Sequence, residues 1–354
     1  SSVASSGFSA ISVAAGLAAG LAAGYLLRGR ETAQGQKPCS DKKQNSKIDA
    51  DEYFKSADPP KDLSSVRAKM DEFVRSNVSA GRKVVCVTGG GTTVPLEKNT
   101  VRFIDNFSTG TRAAISVEYF LKKGYCVLYL RRRGSTDAYA RHLQKHSKYL
   151  DSRFVEALQL DDAKDGIVSL NISPRMFQML KEYQRVKKEG LLLSIEFSTC
   201  DEYFFYLREA AKAVEIAKSR GMMYLAAAVS DFFMGPENIP THKIQSSDGP
   251  LSLQLQQTPK LLGHLRRSWA PSVLCVSFKL ETDIKILITK AERAIRKYGM
   301  DAVVANELRT RYHKVYIVTG IGKVETLKKA SEADAEIEEL VIECLERLHK
   351  DFIS

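Results

Sequence analysis

The chain has 354 residues, 44% hydrophobic and 27% charged, with a formal net charge of +11. With that composition disorder is not the default for the body of the chain, and the length is ample for one large α/β domain or two average ones. The basic balance favours anionic partners, but no Lys/Arg block with interleaved aromatics appears, so nucleic acid is set aside.

Phe8 to Leu27 is an uncharged stretch, FSAISVAAGLAAGLAAGYLL, long enough to span a bilayer. Gly16, Gly20 and Gly24 make two overlapping G-x-x-x-G steps. Arg28 and Arg30 follow it and no basic residue precedes it, the reverse of a secretory signal peptide. The positive-inside rule then places everything after Arg28 in the cytosol. Residues 1–30 are thus a candidate N-terminal membrane anchor of the mitochondrial outer or endoplasmic-reticulum membrane. A weak targeting peptide and an Ala/Gly tail are the alternatives. Residues 31–60 are polar and contain Pro59-Pro60, a flexible-linker composition. Residues 61–354 are expected to form one α/β domain.

Leu63, Val66, Met70, Phe73 and Val74 set a helical period over residues 61–80. KVVCVT from Lys83 is a buried strand, Gly110 to Lys123 a helix, and YCVLYL the next strand. Residues 134–173 are irregular. Helix 174–189 leads to strand LLLSIEFS, and helix 201–219 to strand MMYLAAAV. VLCVSFKL, helix 284–298, DAVVAN, KVYIVT and a last helix from about 331 to 352 complete the series. Strand–helix alternation predicts an α/β fold: a Rossmann-like, mostly parallel sheet with helices on both faces. LSLQLQQ alternates apolar and polar residues and reads as a half-exposed strand off that sheet. Cys39, Cys86, Cys126, Cys200, Cys275 and Cys344 form no C-x-x-C pair, and three lie in apolar strands, which suits a reducing compartment. His142 and His146 are spaced i, i+4 without a carboxylate between them, the pattern of a solvated helix face.

The first strand ends in Thr88-Gly89-Gly90-Gly91-Thr92, neither G-x-G-x-x-G nor a Walker A loop. Glycines there let backbone N–H groups approach a phosphate, although a tight strand exit needs them too. About eighteen residues then intervene before Gly110 opens the helix. They return Arg102, Asn106, Ser108 and Thr109 to a helix N-terminus that favours an anion. Ser108 or Thr109 is also a natural cap there. Ser230-Asp231 follows MMYLAAAV at the rim where α/β folds bind ligands. Lys243 lies in the polar loop HKIQSS, where a lone lysine is usually a solvated charge.

TGGGTTVPLE, VRFIDNFSTG, LAAAVSDFF, HKIQSS, SFKLETD and VVAN occur in this order. The set resembles the successive motifs of eukaryotic-type phosphopantothenoylcysteine synthetases (phosphopantothenate–cysteine ligases) over roughly residues 82–330. The resemblance implies a ligase of coenzyme A biosynthesis. It would join 4′-phosphopantothenate to L-cysteine through an acyl-nucleotidylate, with ATP or CTP as co-substrate and Mg²⁺ held mainly by the triphosphate. It places Gly90, Ser108 and Gly110 at the nucleotide phosphates, and Phe278 and Asn306 near base and ribose. Asn106 would bind the substrate carboxylate and then the acyl-nucleotidylate carbonyl. Ala227, Ala228 and Asp231 would hold the pantetheine-like arm, and Lys243 would neutralise the triphosphate. Arg102 would meet the substrate phosphate across a homodimer, to which the off-sheet strand contributes. Ala113 stands where many relatives have Gly, putting a methyl near the phosphate site. Two rivals compete. An NADP-dependent oxidoreductase would use Arg131-Arg132-Arg133 and a Tyr-x-x-x-Lys pair, Tyr119/Lys123 or Tyr183/Lys187. A membrane-tethered nucleotide-binding module would lack catalysis.

Overall fold

The computed structural model describes residues 49–142, 158–160, 168–170, 173–235, 237–246, 249, 251–331 and 336–354. The candidate anchor at 8–27 lies outside them. Among the described residues no helix is long and apolar enough to cross a membrane.

The expected linker does not extend to residue 60. Ala50–Ser56 forms helix α1, because Tyr53 and Ala50 are buried rather than solvated. The Tyr53 ring packs edge-on against Phe204 and Phe233, and its hydroxyl donates to Asp201. Leu63–Ser79 (α2) follows with Val66, Met70 and Val74 buried along one stripe.

The central sheet holds β1 (Lys83–Gly89), β4 (Tyr125–Arg132), β7 (Leu192–Phe197), β8 (Gly221–Leu225), β11 (Leu274–Glu281), β12 (Ala302–Glu307), β13 (Lys314–Gly320) and β14 (Lys323–Lys328). Their spatial order is β14-β13-β12-β11-β8-β1-β4-β7. The six strands from β7 to β12 are parallel, in the doubly wound order. β13 and β14 add an antiparallel edge, turning at Gly322 with φ +69°. KVETLK alternates as a strand does and belongs to this edge, which the sequence reading passed over.

Helices cover both faces. Tyr224 of β8 meets Ser116 and Phe120 of α3 (Thr111–Lys122), whereas its neighbour Leu225 faces Tyr203 and Phe204, across a cavity. Those two belong to the helix Cys200–Glu215, α5, and adjacent strand residues point to opposite faces. Helix α4 (Pro174–Lys188) precedes β7, α6 (Ile284–Tyr298) links β11 to β12, and α7 (Ile337–Ile353) packs on α3.

Three two-stranded ribbons lie off the sheet. β2 (Thr93–Pro95) pairs with β3 (Phe103–Asp105) inside the long insertion, and β5 (Leu158–Leu160) with β6 (Val168–Leu170) inside the segment read as irregular. Of LSLQLQQ only Gln256–Gln257 (β10) is paired, against Phe232–Phe233 (β9), because the partner is two residues long. MMYLAAAV also splits: β8 stops at Leu225 and Ala226 onward leaves the sheet.

Candidate active site

Doubly wound sheets bind ligands where the strand order reverses, here at the carboxyl ends of β1 and β8. The glycine turn sits there, and each glycine makes room for a different segment. A Cβ on Gly89 would collide with the Ala113 methyl. One on Gly90 would fall 2.6 Å from the Arg132 Cβ, and one on Gly91 would overlap the Asn106 carbonyl oxygen. Gly90 also has φ +86°, a left-handed value that favours glycine. Ala113 therefore fills the helix–strand contact left by Gly89 instead of intruding on a phosphate site.

Gly110 (φ +76°) is the N-cap of α3, and no side chain caps the helix. The expected Ser108 or Thr109 cap is absent, since Thr109 Oγ1 pairs with Thr111 Oγ1 at 2.9 Å. The first N–H groups of α3 thus keep their partial positive charge beside the turn, and the Cβ direction of Gly110 points 3.4 Å from the Gly90 nitrogen. Ser108 lines an open recess with Thr109 and the stretch Arg132 to Thr136.

The turn is stitched to the segment after β8. The Ala228 N–H donates to Gly90 O (2.8 Å), and the Thr92 N–H to Ala228 O (3.1 Å). Thr88 Oγ1 accepts from the Ala227 N–H, and Thr92 Oγ1 from the Ser230 N–H. The Asn106 N–H reaches Thr92 O at 3.3 Å. Gly90, Asn106, Ala227 and Ala228 thereby meet at one point. The two threonines were missed in the sequence, although they flank the glycines.

Beyond Asp231 a cavity of about 270 Å³ opens between α5 and the ends of β8 and β11. Ala227, Asp231 and Phe278 line it, with Tyr203 and Leu261 among its apolar walls. Asp231 Oδ1 accepts from Lys260 Nζ at 2.7 Å at the exposed rim. Phe278 stacks edge-on against Tyr224 at 4.9 Å. Asn306, next to last in β12, is 4% exposed; its Nδ2 donates to Val304 O, while Oδ1 has no hydrogen-bond partner among the described residues. A buried acceptor left open costs about 1–3 kcal/mol, so it suits a ligand donor.

The segments that carry Arg102 and Lys243 are joined through a residue the sequence reading did not single out. The Glu97 carboxylate, 0% exposed, accepts from the Arg102 N–H and Nε (both 3.0 Å) and lies 3.4 Å from the Ile244 N–H. Burial alone would raise its pKa. The Arg102 and Ile244 N–H groups and the guanidinium outweigh that and hold it below the ordinary carboxylate value. Its only signal was a carboxylate inside the string TVPLEKNT. The Lys243 side chain is exposed.

The oxidoreductase features point elsewhere. The Tyr119 hydroxyl donates to Glu336, and Lys123 pairs with Glu343 of α7. Arg131 and Arg133 pair with Glu196, and Arg132 with Asp105.

A family model described as the DNA/pantothenate metabolism flavoprotein C-terminal domain matches residues 207–343. Phosphopantothenate–cysteine ligase 2 of Oryza sativa subsp. japonica is 44% identical over 310 residues, 86% of this chain and 94% of the relative. The chain belongs to the phosphopantothenate–cysteine ligase family. The Homo sapiens ligase is 41% identical over 291 residues, 80% of this chain and 92% of the relative. A solved histidine-to-alanine variant of Cab2, in complex with phosphopantothenate-cysteine, is 37% identical with a TM-score of 0.75. It covers 86% of this chain and 98% of its own.

Proposed function

We propose that this chain joins (R)-4′-phosphopantothenate to L-cysteine with ATP or CTP. A carboxylate is a poor electrophile, because its leaving group would be oxide. In the first step a substrate carboxylate oxygen attacks the α-phosphorus of the nucleotide and pyrophosphate leaves. In the second the cysteine amine attacks the acyl carbon, loses a proton, and the nucleoside monophosphate departs.

The observation that carries this reading is the convergence of Asn106 and the turn Gly89–Gly91 with Ala227–Ala228 at the switch point. The glycine turn and the open start of α3 suit the phosphates, with Ser108 beside them. Asn106 binds the carboxylate and later the acyl carbonyl, since a neutral amide donates without adding charge. Asp231 and the alanines take the pantetheine-like arm, and Phe278 and Asn306 the base and ribose. Lys243 balances charge during nucleotidyl transfer, and Mg²⁺ arrives on the triphosphate.

A homodimer belongs to the same reading, with Arg102 serving the partner's substrate phosphate. Apolar side chains left exposed on and beside the β2–β3 hairpin support it: Val101, Phe103 and Phe107, the last 92% exposed. Residues 8–27 tether the enzyme to a membrane with its catalytic domain in the cytosol.

Asn106→Ala tests the assignment. Amide formation should slow by about 100- to 1,000-fold, the scale of losing one such donor, with a smaller loss in pyrophosphate release. Lost pyrophosphate release with intact coupling of cysteine to synthetic acyl-nucleotidylate would reassign the residue.

A further inference from the structure

We infer that Glu97 is the positioning residue that fixes Lys243 and Arg102 in one rigid frame, so that the activation step depends on a carboxylate that never touches substrate. The inference rests on the ligase reading and concerns a residue to which that reading gives no role.

Glu97 lies at the tip of the β2–β3 hairpin and Lys243 in a loop some 147 residues later, the sequence separation of the Glu97–Ile244 contact. Two backbone bonds zip the segments together: the Lys98 N–H to Pro240 O (2.9 Å) and the Asn99 N–H to Thr241 O (3.2 Å). The Glu97 carboxylate closes the zip from beneath. Its Oε2 takes the N–H groups of Val101 (3.3 Å) and Arg102 (3.0 Å), and Oε1 takes Arg102 Nε and faces the Ile244 N–H. Arg102 completes the loop by donating Nη2 to Ile244 O. The segment that carries Lys243 is thus held on both sides, at Thr241 and at Ile244, while the Lys243 side chain is exposed.

A fully buried carboxylate is costly unless every lone pair is satisfied, and this one is surrounded by donors. No apolar side chain could replace it without orphaning several of those N–H groups. The arrangement is therefore a purpose-built clamp whose output is the placement of two cations. Displacing a catalytic group by about 1 Å costs about 100-fold in rate.

The test is a double-mutant cycle on the full chain with ATP, Mg²⁺, 4′-phosphopantothenate and L-cysteine, reading steady-state pyrophosphate release. Glu97→Gln keeps the volume but turns an NH₂ toward the donors. It should lower kcat by about 10- to 100-fold, with KM for ATP changed less than about twofold. Lys243→Gln should then cost far less in the Glu97→Gln background than in wild type, because both act through one ammonium. A folded Glu97→Gln protein with wild-type kcat, or strictly multiplicative losses, would overturn the proposal. Should the variant not fold, amide hydrogen exchange of the wild-type protein decides: protection at Arg102 and Ile244 supports the clamp, and exchange at open-loop rates refutes it. A wild-type protein that releases no pyrophosphate would refute the ligase reading instead, and the exchange measurement would still judge the clamp.

Discussion

Gly91→Ala is the sharpest probe of the architecture around Asn106. Gly91 has no left-handed backbone angle, so alanine is allowed there conformationally. The added methyl would overlap the Asn106 carbonyl oxygen, and it would lie only 3.0 Å from the carbonyl carbon and 3.4 Å from the Asn106 Cβ. Both neighbours are firm, because the turn is bonded to Ala228 and the Asn106 N–H to Thr92 O. The Asn106 segment must therefore withdraw by about 1 Å, which predicts a loss of about 100-fold in kcat. Overpacking of this kind costs about 1–3 kcal/mol of stability, too little to unfold a domain of this size. Gly320→Ala is the control: the nearest atoms its Cβ would meet belong to the flexible Lys323 side chain, at an ordinary 3.4 Å, at the far end of β13. The assay is steady-state amide formation beside a thermal melt. A folded Gly91→Ala enzyme with wild-type turnover would show that Asn106 does not act from this position.

Mixing Arg102→Ala chains with Asn106→Ala chains should restore part of the activity if sites are completed across a dimer, because one hybrid site keeps both groups. Verified heterodimers without rescue would mean that each site is built within one chain. Arg141 bonds Glu118 through two nitrogens (2.7 and 2.9 Å) and Glu336 through a third (2.9 Å), all three groups mostly buried. Arg141→Ala should cost about 3–5 kcal/mol by stranding the carboxylates, measured by denaturant unfolding. Burial works to raise the Glu118 pKa, but hydrogen bonds from His142 and Arg141 and the Arg141 charge pull it down to about 2. A depressed folded-state pKa stabilises the protein above the ordinary value of 4.5, and that contribution should drain away as pH falls from there toward 2. Stability unchanged over that window would contradict the network. Full-length protein should resist alkaline carbonate extraction from membranes and stay sensitive to added protease; recovery in the soluble fraction would reduce residues 8–27 to a tail.

The doubly wound sheet was legible because its strands are continuous apolar runs, buried on both faces, such as Val84–Val87 and Cys126–Leu130. The ribbons were not. β2, β3 and β10 are two or three residues long and carry no periodicity of their own, so their pairing is set by the rest of the fold. Helix α1 was hidden in a polar stretch, where two adjacent aromatics, Tyr53 and Phe54, supply the anchor. His142 likewise left the expected solvated face to lie 2.8 Å from Glu118 Oε2. Gly90, Asn106 and Asp231 stand out in the sequence by their places at strand and helix ends, and the structure brings Gly90 and Asn106 together at the turn and puts Asp231 at the cavity. The Ala113–Gly89 contact and the Glu97 clamp join residues 24 and 147 positions apart, and no local pattern announces them. Ala226–Val229 read as strand because three alanines and a valine suit one. They leave the sheet because the glycine turn offers its own backbone partners.

The central claim is tested by incubating the purified chain with ATP or CTP and Mg²⁺, and following pyrophosphate and amide separately. The account predicts that pyrophosphate appears only when 4′-phosphopantothenate is present, and that phosphopantothenoylcysteine appears only when cysteine is added as well. Pyrophosphate release without the phosphorylated acid, or none with all components present, would contradict it.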